Sequence, residues 1–408
     1  MPSDRFEAAL AGAVSELEEK GTAKGAETEV VEVLAAGEDS GPRVLLAGEG
    51  DRPFLRMNSN GYLGLAARRD IVAAEEEATR AFGAGPGAVR FISGTYSPHV
   101  ELERRLAAFH GRQAGMIFSS AYATMVGILA PLITPATAVV SDALNHNCII
   151  NAMRLARPKV KQIYKHSDMA DLERKLEEIP GGFERVILVT DGIFSMRGDW
   201  APLAEILALA RRFDDRFPEN VVVLVDDSHG VGAFGATGRG TEEFTESGPA
   251  DILVGTLGKA FGVNGGYVTG SSTLVRYLRE TAPMYIYSNP ITVGEAAAAC
   301  KAVEIVDSAF GRALLDHLRT MTARFEKGLV DLGYETIPGE HPVVPLMVRD
   351  TARTAALVRH LYDNGILATG LNFPVVPKGD EEIRFQVSAA HTPADIDAVL
   401  EVLRTFEQ

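Results

Sequence analysis

Cysteine is scarce in this sequence, which has only 2 among its 408 residues, Cys148 and Cys300. Two cysteines are too few for a disulfide scaffold or a zinc site built from thiolates, so we expect a reducing compartment and no metal site. The N-terminus lacks the apolar core of a signal peptide and the Arg-rich, acid-poor composition of a transit peptide. The sequence therefore predicts a cytoplasmic protein.

An excess of positive charge is also missing, because 55 acidic residues outnumber 40 basic ones and give a formal net charge of −15 at pH 7. That charge repels nucleic acid and anionic membranes, and we expect neither as a partner. The charge-free run 113–141 is long enough to cross a bilayer but contains Pro131 and Pro135. These prolines indicate a buried strand, a helix and another strand instead of a membrane span.

A regular alternation of apolar strand-like runs and helical segments occupies the middle of the chain. The strand candidates are 114–118, 137–140, 160–164, 185–190, 221–225, 251–255 and 265–269. Helices centred near 126, 151, 173 and 207 separate the first five of them. This alternation predicts parallel strands joined by right-handed crossovers. We therefore predict an α/β fold with three layers and a mostly parallel central sheet.

The two ends of the chain have a different pattern from the middle. Residues 1–57 predict an N-terminal helix over 3–20 followed by a β-rich arm over 28–57. Residues 58–290 form the predicted large domain, which begins with helices from about Ile71 and over 99–110. Residues 291–408 predict a smaller α+β domain with helices over 291–332 (with a break near 308–311) and 351–363, strands over 343–348 and 382–387, and a terminal helix from Pro393.

Two buried-strand candidates end abruptly in polar side chains: Asp226 and His229 after the first, and Thr256 and Lys259 after the second. In open α/β sheets, ligands bind outside the carboxyl ends of the strands. A carboxylate, an imidazole, a hydroxyl and an amine would then meet in one crevice. A cofactor that forms a Schiff base and needs an acidic partner for a ring nitrogen uses such a set.

Each of these signals also has a structural interpretation. An Asp-Asp pair after a strand is often a turn or a helix cap, and a lysine after glycine is usually a solvated loop residue. Histidines such as His146 and His229 are often caps or packed side chains. Arg384 in a strand is often an ion-pair partner of a neighbour such as Glu381 or Glu382.

Three further strand ends carry polar or small residues, in the segments 119–122, 142–146 and 191–195. The first opens a helix with small residues, which lets backbone N–H groups approach a phosphate. The others bring carboxylate, imidazole and hydroxyl groups to the same edge of the sheet. Five converging strand ends favour a functional site over a random surface.

These residues resemble the motifs of the α-oxoamine synthases, the fold-type I pyridoxal phosphate (PLP) enzymes that condense an amino acid with an acyl-CoA. The resemblance extends from Asn60 to Thr392, and within the family it is similar to the glycine C-acetyltransferase branch. The fold it implies is the three-layer PLP-dependent transferase fold with a smaller C-terminal domain. The motifs that carry it are 60–65, 89–95, 141–146, 191–196, 225–229, 255–260, 374–379, 383–384 and 388–392.

The resemblance assigns roles around the cofactor ring. Lys259 would form the internal aldimine, and a lysine does so when its surroundings lower its pKa. Asp226 would pair with the pyridine nitrogen, since a carboxylate there keeps the ring protonated. His146 would stack on the ring face, and His229 would hydrogen-bond the phenolic oxygen. Ser195 would lie beside the cofactor.

The resemblance also assigns roles in phosphate and substrate binding. The backbone of Ala121 and Tyr122, together with Thr256, would bind the phosphate. Arg384 would pair with the substrate carboxylate through two hydrogen bonds, with Asn60 nearby.

Several positions depart from the family pattern. Met125 replaces a usual Asn, Ala123 replaces an acidic residue, and Asn147–Cys148 replace an Ala-Ser pair. Pro290 stands where relatives carry a hydroxyl residue that reaches across the dimer to the phosphate, and proline cannot donate that bond.

The resemblance implies a PLP-dependent acyltransferase that condenses glycine with acetyl-CoA and releases CoA, in a homodimer. One alternative is another α-oxoamine synthase that uses a different amino acid or a longer acyl donor, on CoA or on an acyl-carrier protein, with decarboxylation. A PLP-binding module without condensing activity is the second alternative. An aminotransferase is a third.

Overall fold

The structure is a computed structural model, and it describes residues 3–20, 22–23, 25–37, 40–373 and 375–406 of the chain. Pro374, the first residue of the 374–379 motif, lies outside the described residues. The helices are α1 Asp4–Glu19, α2 Arg69–Phe82, α3 Ser97–Phe109, α4 Ala121–Leu132, α5 Asn147–Ala156, α6 Met169–Glu177, α7 Leu203–Phe213, α8 Thr241–Phe244, α9 Ser272–Thr281, α10 Pro283–Ile286, α11 Val293–Val306, α12 Ala309–Asp331, α13 Thr351–Asp363 and α14 Pro393–Arg404.

The strands form three sheets. They are β1 Val30–Leu34, β2 Arg43–Leu46, β3 Phe54–Arg56, β4 Ala114–Phe118, β5 Thr137–Asp142, β6 Val160–Tyr164, β7 Arg185–Asp191, β8 Val221–Asp226, β9 Ile252–Thr256, β10 Gly266–Gly270, β11 Glu335–Thr336, β12 Val343–Met347, β13 Ile366–Leu367, β14 Thr369–Leu371 and β15 Glu382–Gln386. The central sheet has seven strands in the order β4-β10-β9-β8-β7-β5-β6.

The central sheet is mostly parallel, as the sequence predicts. Strands β5 to β9 pair in parallel, and only β10 runs antiparallel to its neighbours β4 and β9. Every residue of β5 and of β9 is buried, which explains their continuous apolar, β-branched sequences. One face packs against α4, α5 and α9 and the other against α6 and α7, so the three-layer prediction is confirmed.

The strand ends meet as predicted at one edge of the central sheet. Asp191, the last residue of β7, pairs in register with Asp226, the last residue of β8. Asp226 in turn lies beside Val254 of β9, two residues before Thr256. This register brings the polar residues that follow β5, β7, β8 and β9 to one crevice.

The N-terminal arm forms the predicted meander of β1, β2 and β3, but a fourth strand completes its sheet. That strand, β13, pairs in parallel with β3 and comes from the C-terminal part of the chain. Two residues are too few to produce a recognisable strand pattern, so the sequence did not predict it. The domain boundaries after 57 and 290 stay predictions.

The C-terminal part contains the predicted helices and strands. The helical stretch over 291–332 divides at Asp307 and Ser308, the latter capping α12 through its side chain. Strand β15 lies between β12 and β14 and carries Arg384. None of the described helices combines the length and apolar character that crossing a bilayer requires.

Candidate active site

A cavity of about 210 Å³ lies at the carboxyl ends of the central strands. Its lining includes eight of the ten predicted site residues. Of the other two, Arg384 contacts the lining residue Ser195, and Asn60 contacts Tyr62, which in turn contacts the lining residue His229. The lining residues are Ala121, Tyr122, His146, Cys148, Asp191, Ile193, Ser195, Asp226, Ser228, His229, Thr256 and Lys259.

Lys259 follows β9 and extends into the cavity. Its Nζ forms no hydrogen bond or ion pair with any of the described residues. Burial disfavours the ammonium form and lowers the pKa of Lys259 to about 8, although Asp226 and Asp191 oppose the shift. A lysine with such a pKa has a neutral, nucleophilic fraction of roughly one-tenth at pH 7, far more than an ordinary lysine. The solvated-loop interpretation of this residue is therefore wrong.

The two adjacent aspartates after β8 have different surroundings. Asp227 is fully buried and accepts hydrogen bonds from the Thr241 backbone N–H and hydroxyl, both at 2.7 Å. It is the structural residue of the pair. Asp226 instead faces the cavity, where its Oδ1 accepts from the Ser228 N–H at 3.1 Å. Its other oxygen lies 3.5 Å from the Cys148 thiol.

His146 caps α5, as the structural interpretation expects, and it also lines the cavity. Its Nδ1 accepts from the Cys148 N–H at 3.2 Å and lies 3.0 Å from the Cys148 Sγ. Its backbone N–H donates to Asp191 Oδ2 at 3.0 Å. Burial lowers the pKa of His146, so the imidazole is neutral at pH 7.

His229 is fixed from two directions. Its Nδ1 lies 2.7 Å from the buried Tyr62 hydroxyl, and its carbonyl oxygen lies 2.9 Å from Nε2 of His341. The same hydroxyl lies 3.3 Å from Asn60 Oδ1. Burial, reinforced by the charge of Lys259, lowers the pKa of His229 well below its ordinary value. Asn60 therefore reaches the cavity indirectly, through Tyr62.

The N-terminus of α4 forms another wall of the cavity. Ala121 and Tyr122 are its first two residues, and the N–H groups at that position have no intrahelical acceptor. Strand β10 approaches so closely that a Cβ on Gly266 would lie 2.2 Å from the Ala121 nitrogen. Thr256, from β9, lies on the same cavity wall. A helix N-terminus beside a hydroxyl has the donor groups that suit an anion.

Arg384 contacts the cavity lining at Ser195: its Nη1 donates a hydrogen bond to the Ser195 carbonyl oxygen at 2.9 Å. With the Gln386 amide nitrogen facing the Met57 carbonyl, the Gln386 oxygen accepts from both Nη2 and Nε of Arg384. Of the five guanidinium N–H groups, one on Nη1 and one on Nη2 remain. Arg384 forms no ion pair with Glu381 or Glu382, so its interpretation as a surface partner is wrong.

The lining residues fit PLP, judged by the chemistry of the donor set. The lysine with its lowered pKa matches the cofactor aldehyde, and the carboxylate matches the ring nitrogen. The two neutral imidazoles match the ring face and the ring oxygen, and the helix N-terminus matches the phosphate. Two buried oxygens of the lining, Asp191 Oδ1 and Ser228 Oγ, also have no partner among the described residues. Across the described ranges, no group of three or more His, Cys, Asp or Glu side chains could bind a metal.

Sequence reasoning did not assign individual roles to five residues at this cavity, one of which is the apolar Ile193. Tyr62 contacts His229, while Cys148, Asp191 and Ser228 line the cavity itself. The sequence placed Asp191 among the converging strand ends without giving it a role, and in the structure it is adjacent in register to Asp226. Tyr62 comes from a distant part of the chain, and no local pattern indicates that it reaches His229.

Comparison with known proteins identifies the family. Residues 52–403 match the family of class I and II aminotransferases. The chain is 40% identical over 360 residues to 8-amino-7-oxononanoate synthase from Symbiobacterium thermophilum, covering 88% of this chain and 89% of that protein. The enzyme of the same name from Thermosipho melanesiensis is 38% identical, with 86% and 87% covered.

Solved structures agree with this assignment. Serine palmitoyltransferase from Sphingomonas wittichii superposes with a TM-score of 0.88 at 25% identity, covering 99% of this chain and 97% of that one. The enzyme from S. paucimobilis with a bound PLP–myriocin aldimine superposes with a TM-score of 0.86 at 25% identity, covering 98% and 97%. The chain therefore belongs to the class I and II aminotransferase family, and within it to the PLP-dependent α-oxoamine synthases.

Proposed function

We propose that this enzyme condenses a small amino acid other than glycine with an acyl thioester longer than acetyl, releasing the thiol and carbon dioxide. The observation that carries this proposal is the single cavity that joins Lys259, Asp226, His146 and His229 to a helix N-terminus. PLP bound there supplies an electron sink for the bond that breaks at the amino acid Cα. The protein supplies binding, orientation and proton transfer.

The relatives favour this choice over the condensation of glycine with acetyl-CoA that the sequence analysis put first. The name 8-amino-7-oxononanoate describes a nine-carbon chain whose amine lies on the carbon next to a terminal methyl group. Such a product is assembled from alanine, without its carboxylate, and a seven-carbon acyl group. Serine palmitoyltransferase names a different amino acid and a longer acyl chain. Both relatives thus support the alternative of a longer donor.

A second cavity, of about 450 Å³, supports the longer acyl chain. It shares Tyr122 with the first cavity, and we call it the side groove. It is lined by Ser120, Tyr122, Ala123, Val126, Asn151, Arg154, Leu155 and Met284. Leu155 is 64% exposed and Met284 39% exposed, so apolar surface is available to an acyl chain beside the reacting centre.

Lys259 has two proposed tasks. Its neutral amine carries the cofactor before the amino acid arrives, and the same Nζ then removes and returns the proton at Cα. The pKa of about 8 permits both, because the amine is present in both protonation states near neutral pH. Asp226, at the end of β8, pairs with the ring nitrogen, while His146 and His229 bind the ring face and the ring oxygen.

Arg384 is the proposed receptor for the substrate carboxylate. Gln386 and the Ser195 carbonyl occupy three of its N–H groups and leave one on each terminal nitrogen. Two parallel N–H groups match the geometry of a carboxylate. Ala121, Tyr122 and Thr256 bind the cofactor phosphate in this proposal.

A homodimer is part of the proposal. Helix α1 buries none of its residues against its own chain, and the apolar residues Phe6, Leu10, Val14 and Leu17 are 47–63% exposed. An amphipathic helix with an uncovered apolar face is typical of a subunit contact. Light scattering of the purified protein measures the mass, and a monomer of 43.7 kDa would contradict this part.

The test of the reaction is a panel of donors and amino acids. Acetyl, hexanoyl, pimeloyl and palmitoyl thioesters are combined with glycine, alanine and serine, and free thiol, carbon dioxide and product mass are measured. We expect the fastest thiol release with a donor longer than acetyl, accompanied by equimolar carbon dioxide. Preference for glycine and acetyl-CoA with no carbon dioxide would return the assignment to the glycine C-acetyltransferase reaction.

A further inference from the structure

A strip of positive charge runs from the side groove along the edge of the central sheet. It consists of five exposed side chains, which we call the basic strip: Arg154, Arg157, Lys159, Lys161 and Lys165. The sequence between Asp142 and Asp168 contains no acidic residue, although acidic residues outnumber basic ones 55 to 40 in the whole chain. The strip therefore carries positive charge on a molecule whose net charge is negative.

The side chains of the basic strip are not neutralised within the chain. None of the five forms an ion pair with any residue that the structure describes. The nearest polar contact is from Arg154 Nη1 to Asn151 Oδ1, at 3.0 Å, and it involves no charge on the asparagine. Other exposed arginines, such as Arg324 with Asp397 and Arg404 with Glu401, do have a carboxylate partner. Five cations without a counter-charge form a surface that attracts a polyanion.

Strand geometry gives the strip its length. Lys159, Lys161 and Lys165 alternate along β6 and its flanks and so point to one face, together with the 40% exposed Ile163. Six residues of extended chain span on the order of 20 Å. That length corresponds to roughly 13 residues of α-helix. The strip therefore matches a helix that carries several carboxylates better than it matches the phosphates of a single nucleotide.

The basic strip is connected to the reacting centre. Helix α5 begins directly after His146, which lines the cavity, and reaches Arg154 about 12 Å further along its axis. Arg154 and Leu155 belong to the side groove, and Arg157 follows at the end of α5. A ligand bound on the strip could extend a flexible arm along the groove to the cavity.

We propose that the basic strip is the docking surface for an acidic carrier protein that delivers the acyl group as a thioester on a flexible arm. The inference rests on the proposed function, because it concerns the source of the acyl thioester. Charge complementarity provides the attraction, and Ile163 provides an apolar contact within the strip. The docked protein would place the thioester at the end of the groove that opens beside Tyr122.

The test uses the PLP-loaded enzyme with one acyl group carried in three forms: on a bacterial acyl carrier protein, on CoA and on pantetheine. The variant is Lys159→Glu/Lys161→Glu. Its matched control is Arg276→Glu, an exposed arginine on α9, which packs beside β4 at the opposite edge of the sheet. We expect the double variant to lower kcat/KM at least about 10-fold for the carrier-bound donor, because reversed charges slow association.

The same variant should change kcat/KM for the CoA and pantetheine donors less than about two-fold, since surface substitutions away from the site have small effects. Added salt should weaken the wild-type reaction with the carrier-bound donor only. An equal loss with carrier and CoA would overturn the proposal in favour of a site for small phosphates. No loss with any donor would also overturn it, leaving the lysines as protection of a sheet edge.

A binding measurement separates this inference from the proposed function. Fluorescence anisotropy of a labelled, unacylated carrier protein reports docking without any turnover. Binding that the double variant abolishes and Arg276→Glu preserves would support the docking surface even if no donor released thiol. If donors release thiol but the carrier protein binds wild type and double variant equally, the docking surface is wrong and the reaction stands.

Discussion

The hydroxyl of Tyr62 lies 2.7 Å from Nδ1 of His229, and both side chains are buried. Because burial lowers the pKa of His229 well below its usual range, the imidazole is neutral and carries one proton. The Tyr62 hydroxyl has one hydrogen and two possible acceptors, Nδ1 at 2.7 Å and Asn60 Oδ1 at 3.3 Å, and we assign the hydrogen to the shorter contact. The imidazole proton then lies on Nε2, which becomes the donor of the ring. A tyrosine from the N-terminal part of the chain thus sets the hydrogen-bonding role of a residue at the carboxyl end of β8.

Replacing Tyr62 by Phe should release His229 from this single tautomer. We expect kcat/KM to fall about 10-fold, or about 1.4 kcal/mol, which is the upper part of the range for one hydrogen bond. Nitrogen NMR of labelled histidine should show the proton on Nε2 in the wild type and a mixture in Tyr62→Phe. The control is Tyr334→Phe, whose hydroxyl bonds to the Leu403 carbonyl. An unchanged tautomer in Tyr62→Phe would contradict the assignment.

Lys259 should take up the cofactor with a pH dependence shifted from that of an ordinary lysine. With a pKa of about 8 instead of 10.5, the neutral fraction at pH 7 is about 10%, compared with about 0.03%. The rate of PLP uptake by the apoenzyme should therefore rise up to about pH 8 and then level off. The rate at which N-acetyl-lysine reacts with PLP in the same buffers corrects for the pH dependence of the cofactor itself. A rate that still rises steeply at pH 10 would show that burial does not lower this pKa.

His166 should contribute stability that disappears at alkaline pH. Burial alone would lower its pKa, but hydrogen bonds to Asp142 and Asp199 at 3.1 and 3.2 Å outweigh burial and raise the pKa to about 9. A raised folded-state pKa gives stability that is complete below pH 6.5 and is lost as the pH rises through 9. After allowance for solvent screening, we expect about 1–2 kcal/mol.

Denaturant unfolding at pH 6 and pH 9.5 measures this contribution. The wild type should lose more free energy of unfolding between the two pH values than His166→Gln, which has no charge to lose. Asp199 lies in the turn that carries Ser195, so the same bridge also stabilises one wall of the cavity. Equal pH dependence in both proteins would mean that His166 is neutral in the folded state.

Gln386 should affect amino acid binding through Arg384. Gln386→Leu removes the oxygen that accepts from two guanidinium nitrogens, so the guanidinium loses its fixed orientation. We expect KM for the amino acid to rise about 10-fold with kcat changed less than about three-fold. The reason is that the carboxylate is bound equally well in the substrate complex and in the transition state. KM for the acyl donor should not change. A fall in kcat at unchanged KM would place Gln386 in a different role.

The sequence predicted the central part of the molecule well because its physical signals are local. Buried strands such as β5 and β9 are continuous apolar runs, and the rule that ligands bind at strand ends placed Asp226 and Lys259 in one crevice. Local pattern also drew attention to Thr256 and to the helix that opens at Ala121, and the family resemblance then supplied a role for Arg384, which no local pattern distinguishes.

The sequence could not predict features that depend on long-range packing. Strand β13 has two residues and exists only because β3 is beside it. The contact of Tyr62 with His229 joins positions 167 residues apart. The orientation of Arg384 depends on the Ser195 carbonyl, a group that every residue type possesses. The substrate preference followed the resemblance to the glycine C-acetyltransferase branch, and the relatives favour a longer donor instead.

Thiol release by the PLP-loaded wild type and by Lys259→Ala is the measurement that tests the central claim most directly. The proposed function predicts thiol release that requires both an amino acid and an acyl thioester, and a loss of at least about 1,000-fold in Lys259→Ala. A folded wild-type enzyme that releases no thiol with any pair in the panel, or a Lys259→Ala variant that releases it at the wild-type rate, would contradict it.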